Sequence, residues 1–149
     1  MTLLATRVEG QQQLQHKLLA LTTALDVQTL LDQSASLLLH NIMFRFLRAV
    51  DTQGQAFAPI TPAREQVKEK LYGDKSTPLF ASGKLFHSLQ VFQVGADSRG
   101  IGTDVPYGKF HQFGTIKLPV REFLGFSKPD IQVVQDLLIH RVVEALRVQ

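Results

Sequence analysis

Five histidines, His16, His40, His87, His111 and His140, are the first side chains that invite a metal or acid–base reading. No two of them stand at i and i+4, the spacing that sets two imidazoles on one helical face around zinc, and no carboxylate pattern accompanies them. The chain contains no cysteine, which excludes disulfides, zinc ribbons, Cys-ligated iron–sulfur clusters and thiol catalysis. Gly95-Ala96-Asp97-Ser98-Arg99-Gly100-Ile101-Gly102 is glycine-rich. It lacks the Gly-Lys-Ser/Thr ending whose lysine and hydroxyl contact phosphate and magnesium, and strand-like sequence flanks it, so it reads as a hairpin turn. Ser82, Ser88 and Ser98 do not sit in a Gly-x-Ser-x-Gly elbow, and the acidic residues are too scattered to nominate a catalytic pair. The expectation is a protein with no catalytic residues, no metal site and no cofactor.

Two neighbouring segments are different in kind: Tyr107-Gly108-Lys109-Phe110-His111-Gln112-Phe113-Gly114, and Leu118 through Ser127 with the order Leu-Pro-Val-Arg-Glu-Phe-Leu-Gly-Phe-Ser. They place Tyr107, Phe110, His111, Phe113, Phe123 and Phe126 within twenty positions, punctuated by Gly108, Gly114 and Gly125. Such rings either pack a corner between sheet and helix or anchor an interface, where aromatics and arginine are enriched. Both readings stay open for Tyr107, His111, Phe113, Arg121 and Phe123, with Tyr107, Phe113 and Phe123 expected to fix the corner. Arg121 stands between Val120 and Phe123-Leu124. Its five donors need partners there, a carboxylate or backbone carbonyls of its own or a neighbouring subunit.

The elements that must position these residues follow from periodicity. Leu3 to Val8 reads as a short strand. Leu14, Leu18, Leu21 and Leu25 make one stripe of a helix over 11–24. Asp26 caps a second helix running to about Val50. Leu31, Ala35, Leu38, Ile42, Phe46 and Ala49 form its first stripe, while Leu30, Leu37, Phe44 and Leu47 lie on another side. A surface helix needs only one apolar stripe, so Leu37 and Phe44 become candidates for contact with another subunit. Asp51-Thr52-Gln53-Gly54 is a turn. Residues 61–78 are the most polar stretch, with one weak helical piece at 63–71, expected as an exposed, mobile excursion. Leu85 and Leu89 share a face of a short helical turn. Residues 90–96 and 99–103 pair as a hairpin, and Ile116, Leu118 and Val120 alternate as a third, edge-like strand. Ser127 and Asp130 open the last helix, whose core face is Ile131, Val134, Leu138, Val142 and Ala145. Long N-terminal helices, a small antiparallel sheet and a C-terminal helix make an α+β fold, expected as one domain over 1–149.

Composition agrees with a folded domain. Of the 149 residues 44% are hydrophobic and only 19% charged, below the roughly 25% of a typical soluble chain, which fits a surface partly covered by a partner. The net charge of +3 arises after residue 60, where basic residues are interspersed with acidic ones rather than clustered, so strong sequence-independent DNA affinity is not indicated. No apolar run reaches the roughly 18 residues of a membrane span, and Met1 to Gly10 has neither the basic nor the apolar region of a signal peptide. A cytosolic product is expected.

Five ordered motifs resemble the phage virion morphogenesis family, the tail-completion and neck proteins of Mu-like and related tailed phages. Ser82-Gly83-Lys84-Leu85-Phe86-His87-Ser88, Gly102-Thr103, Pro106-Tyr107-Gly108, His111-Gln112-Phe113-Gly114 and Pro119-Val120-Arg121-Glu122-Phe123-Leu124-Gly125 stand in the family's order and spacing. Phe46 to Phe57, with the turn at Asp51, is similar to its Phe…Asp-Gly-x-x-Trp stretch. Phe57 replaces the frequent Trp, Gly108 an Ala and Ile101 a Val. The resemblance spans about residues 26–140. It implies a non-enzymatic virion protein, a subunit of a ring at the head-proximal end of the tail. Sixfold symmetry is expected, with twelvefold as the alternative, in contact with other neck and tail proteins and with DNA passing through unbound. A closed ring requires two different patches per subunit, and the second helix and the aromatic segment are candidates for them. The rival readings are a small basic nucleic-acid-binding module and a ligand-binding or hydrolytic domain using His87 or His111.

Overall fold

Asp26 starts the longest helix in the way its position promised. A computed structural model describes residues 11–73 and 77–147, and the strand expected at Leu3–Val8 lies outside them. Helix α1, Gln11–Ala24, precedes α2, Val27–Leu47. The Asp26 carboxylate accepts the Gln28 and Thr29 amides and the Thr29 hydroxyl, closing two of the donors that a helix start leaves unpaired. These bonds, the Thr29 hydroxyl first, hold its pKa below the ordinary carboxylate value. After α2 the chain turns at Ala49 and doubles back. The Asp51 carboxylate accepts the Gln53 and Gln55 amides, both at 2.8 Å, and Phe57 N–H donates to Ala49 O at 2.7 Å. That turn delivers Phe57 to the core.

Helix α3 spans Pro62–Tyr72 and the single turn α4 Lys84–His87. Strands β1, Gln90–Gly95, and β2, Ser98–Gly102, form an antiparallel hairpin. Its register pairs Val91 with Ile101 and Phe92 with Gly100. The Phe92 ring lies over Gly100 so closely that a Cβ there would stand 2.5 Å from ring carbons. Polar ties lock the hairpin to the start of α2: Arg99 donates to Asp32 and Gln28, and Gln28 donates to Ala96 O at 2.8 Å. Helices α5, Gly108–Phe113, and α6, Lys128–Arg147, complete the chain.

The core gathers Ile42 and Phe46 of α2 with Phe57, Leu85, Leu89, Val105 and Phe123. Phe46 is its centre, edge-on to Phe123 at 5.7 Å and tilted against Phe86 at 5.6 Å. The architecture is α+β, six helices and one two-stranded sheet among the described residues. The first stripe of α2 faces inward as its spacing requires, with Ala35, Ile42 and Phe46 buried.

Three expectations need correction. Residues 116–120 form no strand: Thr115 and Leu118 exchange backbone bonds in a turn, and Pro119 has no N–H to offer a ladder. The helical piece expected at 63–71 in the polar stretch is α3, most of whose residues are exposed. Thr61 caps it, Gly73 ends it in left-handed geometry, and Lys68 within it is 3% exposed. The anticipated core face of α6 is not core: Ile131 and Leu138 are exposed, Val134, Val142 and Ala145 half-buried, and Asp130 is the buried residue of that helix. Finally, Phe113 and Tyr107 do not fill the corner; both are exposed, and Phe123 alone of the three is buried.

Candidate assembly surface

From Thr103 to Asp130 the backbone is held by side chains instead of by a sheet. The Thr103 and Ser88 hydroxyls bond each other, and Thr103 Oγ1 accepts the Val105 amide at 3.0 Å. This sets the start of α5, where Gly108 passes beneath Leu85. A Cβ at 108 would meet Thr103 Cγ2 at 3.0 Å and Leu85 Cδ1 at 3.3 Å. From α5, Gln112 reaches across to the returning chain. Its Oε1 accepts the amides of Phe123 and Leu124 and its Nε2 donates to Leu124 O at 2.8 Å. The amide thus completes three backbone groups that a strand partner would otherwise satisfy. Beside it, Arg121 N–H donates to His111 O at 2.8 Å.

Arg121 is 5% exposed, and it finds backbone carbonyls, as its sequence context required. Nε donates to Ala58 O at 2.7 Å and Nη2 to Pro59 O at 2.9 Å. Burial lowers its pKa below the usual guanidinium value. The same burial, then the charges of Arg121 and Arg64, lower the pKa of His111, whose ring stands edge-on to Tyr107. A neutral imidazole between two guanidiniums is poorly placed to accept a proton. No group of three or more His, Cys, Asp or Glu side chains suited to a metal occurs among the described residues.

The segment ends at a charged lock. Ser127 N–H donates to Asp130 at 2.7 Å and Asp130 N–H to the Ser127 hydroxyl at 3.3 Å, a reciprocal cap of α6. From α2, Asn41 donates to the same carboxylate at 2.9 Å and Arg45 forms an ion pair with it. Arg45 also donates to Gly125 O at 2.6 Å. Burial would raise the pKa of Asp130, but the bonds from Ser127, Arg45 and Asn41 outweigh it and leave the carboxyl below its ordinary value. Gln112, Arg45 and Asp130 were not among the residues singled out as site candidates. In the sequence Gln112 lies inside the His-Gln-Phe-Gly motif and Asp130 reads only as a charge favouring a helix start.

Between the clamped stretches, the tip at residues 113–120 projects outward. Phe113 is 77% exposed and Ile116 fully so; Val120 is exposed as well. Gly114, at φ 71°, makes the departure from α5; a Cβ there would lie 2.9 Å from Val120 Cγ2. A second apolar surface runs along α2, where Leu37, Phe44 and Leu47 are exposed and the Arg48 guanidinium lies 5.6 Å from the Phe44 ring centre. The seven candidates therefore divide. Arg121 and Phe123 are buried in the scaffold, His111 is half-buried, and Tyr107, Phe113, Leu37 and Phe44 are presented to the outside.

Comparison with known proteins gives one match: the model of the phage virion morphogenesis family matches residues 8–143. No curated protein and no solved structure matches the chain.

Proposed function

The chain belongs to the phage virion morphogenesis family, and from that premise we propose that it is a ring subunit at the neck of a tailed phage, completing the tail and joining it to the head. Family membership makes it a virion-associated structural or assembly protein. The ring and its place at the neck are our reading.

One observation carries that reading: large apolar side chains stand exposed on several identifiable elements of the described chain. No described side chain of α1 is buried, with Leu14, Leu18 and Leu19 all exposed. Contiguous apolar surface on a soluble protein marks contact sites. The α2 face around Phe44 and the tip around Ile116 lie on different elements of the chain. Such a pair suits a head-to-tail contact that closes into a ring, whereas a twofold dimer would use one self-complementary patch. Six copies would match tail symmetry; twelve is the alternative. Basic and acidic side chains interspersed over the surface favour passage of DNA through such a ring without tight binding. The role is non-enzymatic, with neck and tail proteins above and below as partners and assembly taking place in the host cytoplasm. No helix among the described residues is long and apolar enough to cross a membrane.

The test is to locate the chain in particles of the phage that encodes it, by gold-labelled antibody and by reconstruction of the neck. Density for a ring of this subunit at the head–tail junction is expected. Label along the tail tube or over the capsid shell would contradict the assignment.

A further inference from the structure

A cavity of about 480 Å³ lies between α3, the segment 78–85, α5 and Arg121. That volume falls within the roughly 300–1,000 Å³ of ordinary ligand sites. Arg64, Lys68, Lys84 and Arg121 all contribute to its lining, and none of the described residues that line it is an aspartate or glutamate. Two of these cations, Lys68 and Arg121, are almost wholly removed from solvent. Arg121 uses Nε and Nη2 on carbonyls of residues 58 and 59, leaving Nη1 without a hydrogen bond among the described residues. His111 also lines the cavity, and its Nδ1 is buried with no partner among the described residues. A neutral imidazole can present an N–H donor from that atom. Lys68 donates to Thr77 O at 2.6 Å; Arg64, Lys84, Arg121 Nη1 and the His111 ring nitrogen remain for a ligand, and a buried polar atom left unpaired costs free energy that an anionic acceptor recovers.

We propose that this cavity receives an acidic peptide segment of a second virion protein, holding its carboxylates among Arg64, Lys84 and Arg121. The rest of the lining suits a peptide: Leu79, Phe80 and Tyr107 offer apolar and aromatic walls for the side chains next to the carboxylates. A nucleic acid fits less well. Duplex phosphates are tracked by exposed Lys and Arg along an open surface, whereas here two of the four cations are recessed. The acidic segment is not this chain's own, because its 13 acidic residues are scattered and no two lie within three positions of each other. The site does not rest on ring closure, since a single subunit carries the whole cavity.

Fluorescence anisotropy on the full chain tests this with three labelled probes: a peptide of alternating Glu and Leu, the same peptide with Gln for Glu, and a short DNA duplex. The Glu peptide is expected to bind, the Gln peptide not, and added salt to weaken binding, as it does for charge-led recognition. Arg64 and Lys84 are exposed and outside the core, so the Arg64→Glu/Lys84→Glu variant should keep its melting temperature and lose at least roughly tenfold in affinity. If that variant does not fold, Lys84→Gln is read the same way, with a smaller loss expected. Absence of Glu-peptide binding, equal binding of the Gln peptide, or unchanged affinity in the folded variant overturns the proposal. Tighter binding of the duplex, lost in the same variant, would also overturn it and make the cavity a phosphate site.

Discussion

The stretch from Thr103 to Asp130 and the outer faces of the helices solve opposite problems. The first has almost no regular structure, yet nearly every turn of it is held by a named polar group: Thr103, Gln112, Arg121, then Asp130 with Arg45. The second has regular helices and little to bury them against; α1 packs on α6, α1 leaving leucines and α6 leaving leucines and isoleucines in the open. Regularity and stability are thus separated in this molecule. Polar clamps make the irregular segment rigid enough to hold out its apolar tip, while the regular helices keep apolar surface that only a neighbour would cover.

Substitutions that break the comparison differ in size. Phe123→Ala should cost most, about 3–5 kcal/mol for a large buried ring, because Phe123 is 2% exposed and edge-on to Phe46. Urea denaturation reads that loss directly. A change under about 1 kcal/mol would mean the irregular segment is not anchored through the core.

Asp130→Asn comes next, at roughly 3 kcal/mol, since it leaves Arg45 without its counter-charge in a largely buried site. It also has a pH signature. The pKa of Asp130 is lowered on folding, so its stabilisation is present above the unfolded carboxylate value near 3.8 and is lost as pH falls through the folded value. His111, also lowered, adds an earlier loss that begins as pH falls below about 6.5. Melting temperature against pH should therefore fall in two stages for the native chain. The variant should show a smaller lower stage, with Asp26, whose carboxyl is also lowered, supplying the remainder; an undiminished lower stage would remove Asp130 from the account.

Gln112→Ala should be milder, about 1–3 kcal/mol, for backbone groups of Phe123 and Leu124 left unpaired. Chemical denaturation measures it, and amide exchange at those two residues should accelerate. The least effect on the isolated subunit is expected for Phe44→Ser and Ile116→Ser, within about 0.5 kcal/mol, since both residues are exposed. Yields of joined, infectious particles should nevertheless drop sharply for either. Normal yields would show that these surfaces meet no neighbour.

What could be read from the sequence tracks how local the cause is. The bounds of the first helix, the Asp26 cap, the hairpin and the start of α6 are set by spacing and by side chains three or four positions apart. The inward stripe of α2 follows from the same periodicity. Helix α5 escaped because six residues between Gly108 and Gly114 are too few to show a period. The alternation at Ile116, Leu118 and Val120 misled for a related reason: it describes one edge and says nothing about whether a partner strand exists. The apolar face of α6 was legible as a face but not as an exposed one, because burial depends on what lies opposite. Arg45 and Asp130 are 85 positions apart and Gln112 and Leu124 twelve, so no local pattern joins them. Arg121 was the exception. Its demand for partners was plain from its neighbours, although the carbonyls of Ala58 and Pro59 were not.

The central claim is that the α2 face of one subunit meets the apolar tip of the next. The chain has no cysteine, so an Arg48→Cys/Lys117→Cys variant keeps Phe44 and Ile116 and carries one thiol at the edge of each surface, on exposed residues, and nowhere else. Treating assembled particles with a short bis-maleimide and separating the products under denaturing conditions is the direct measurement. A head-to-tail ring predicts a ladder of covalent multimers ending at the ring's copy number. Monomers alone, or dimers with nothing larger, would contradict it.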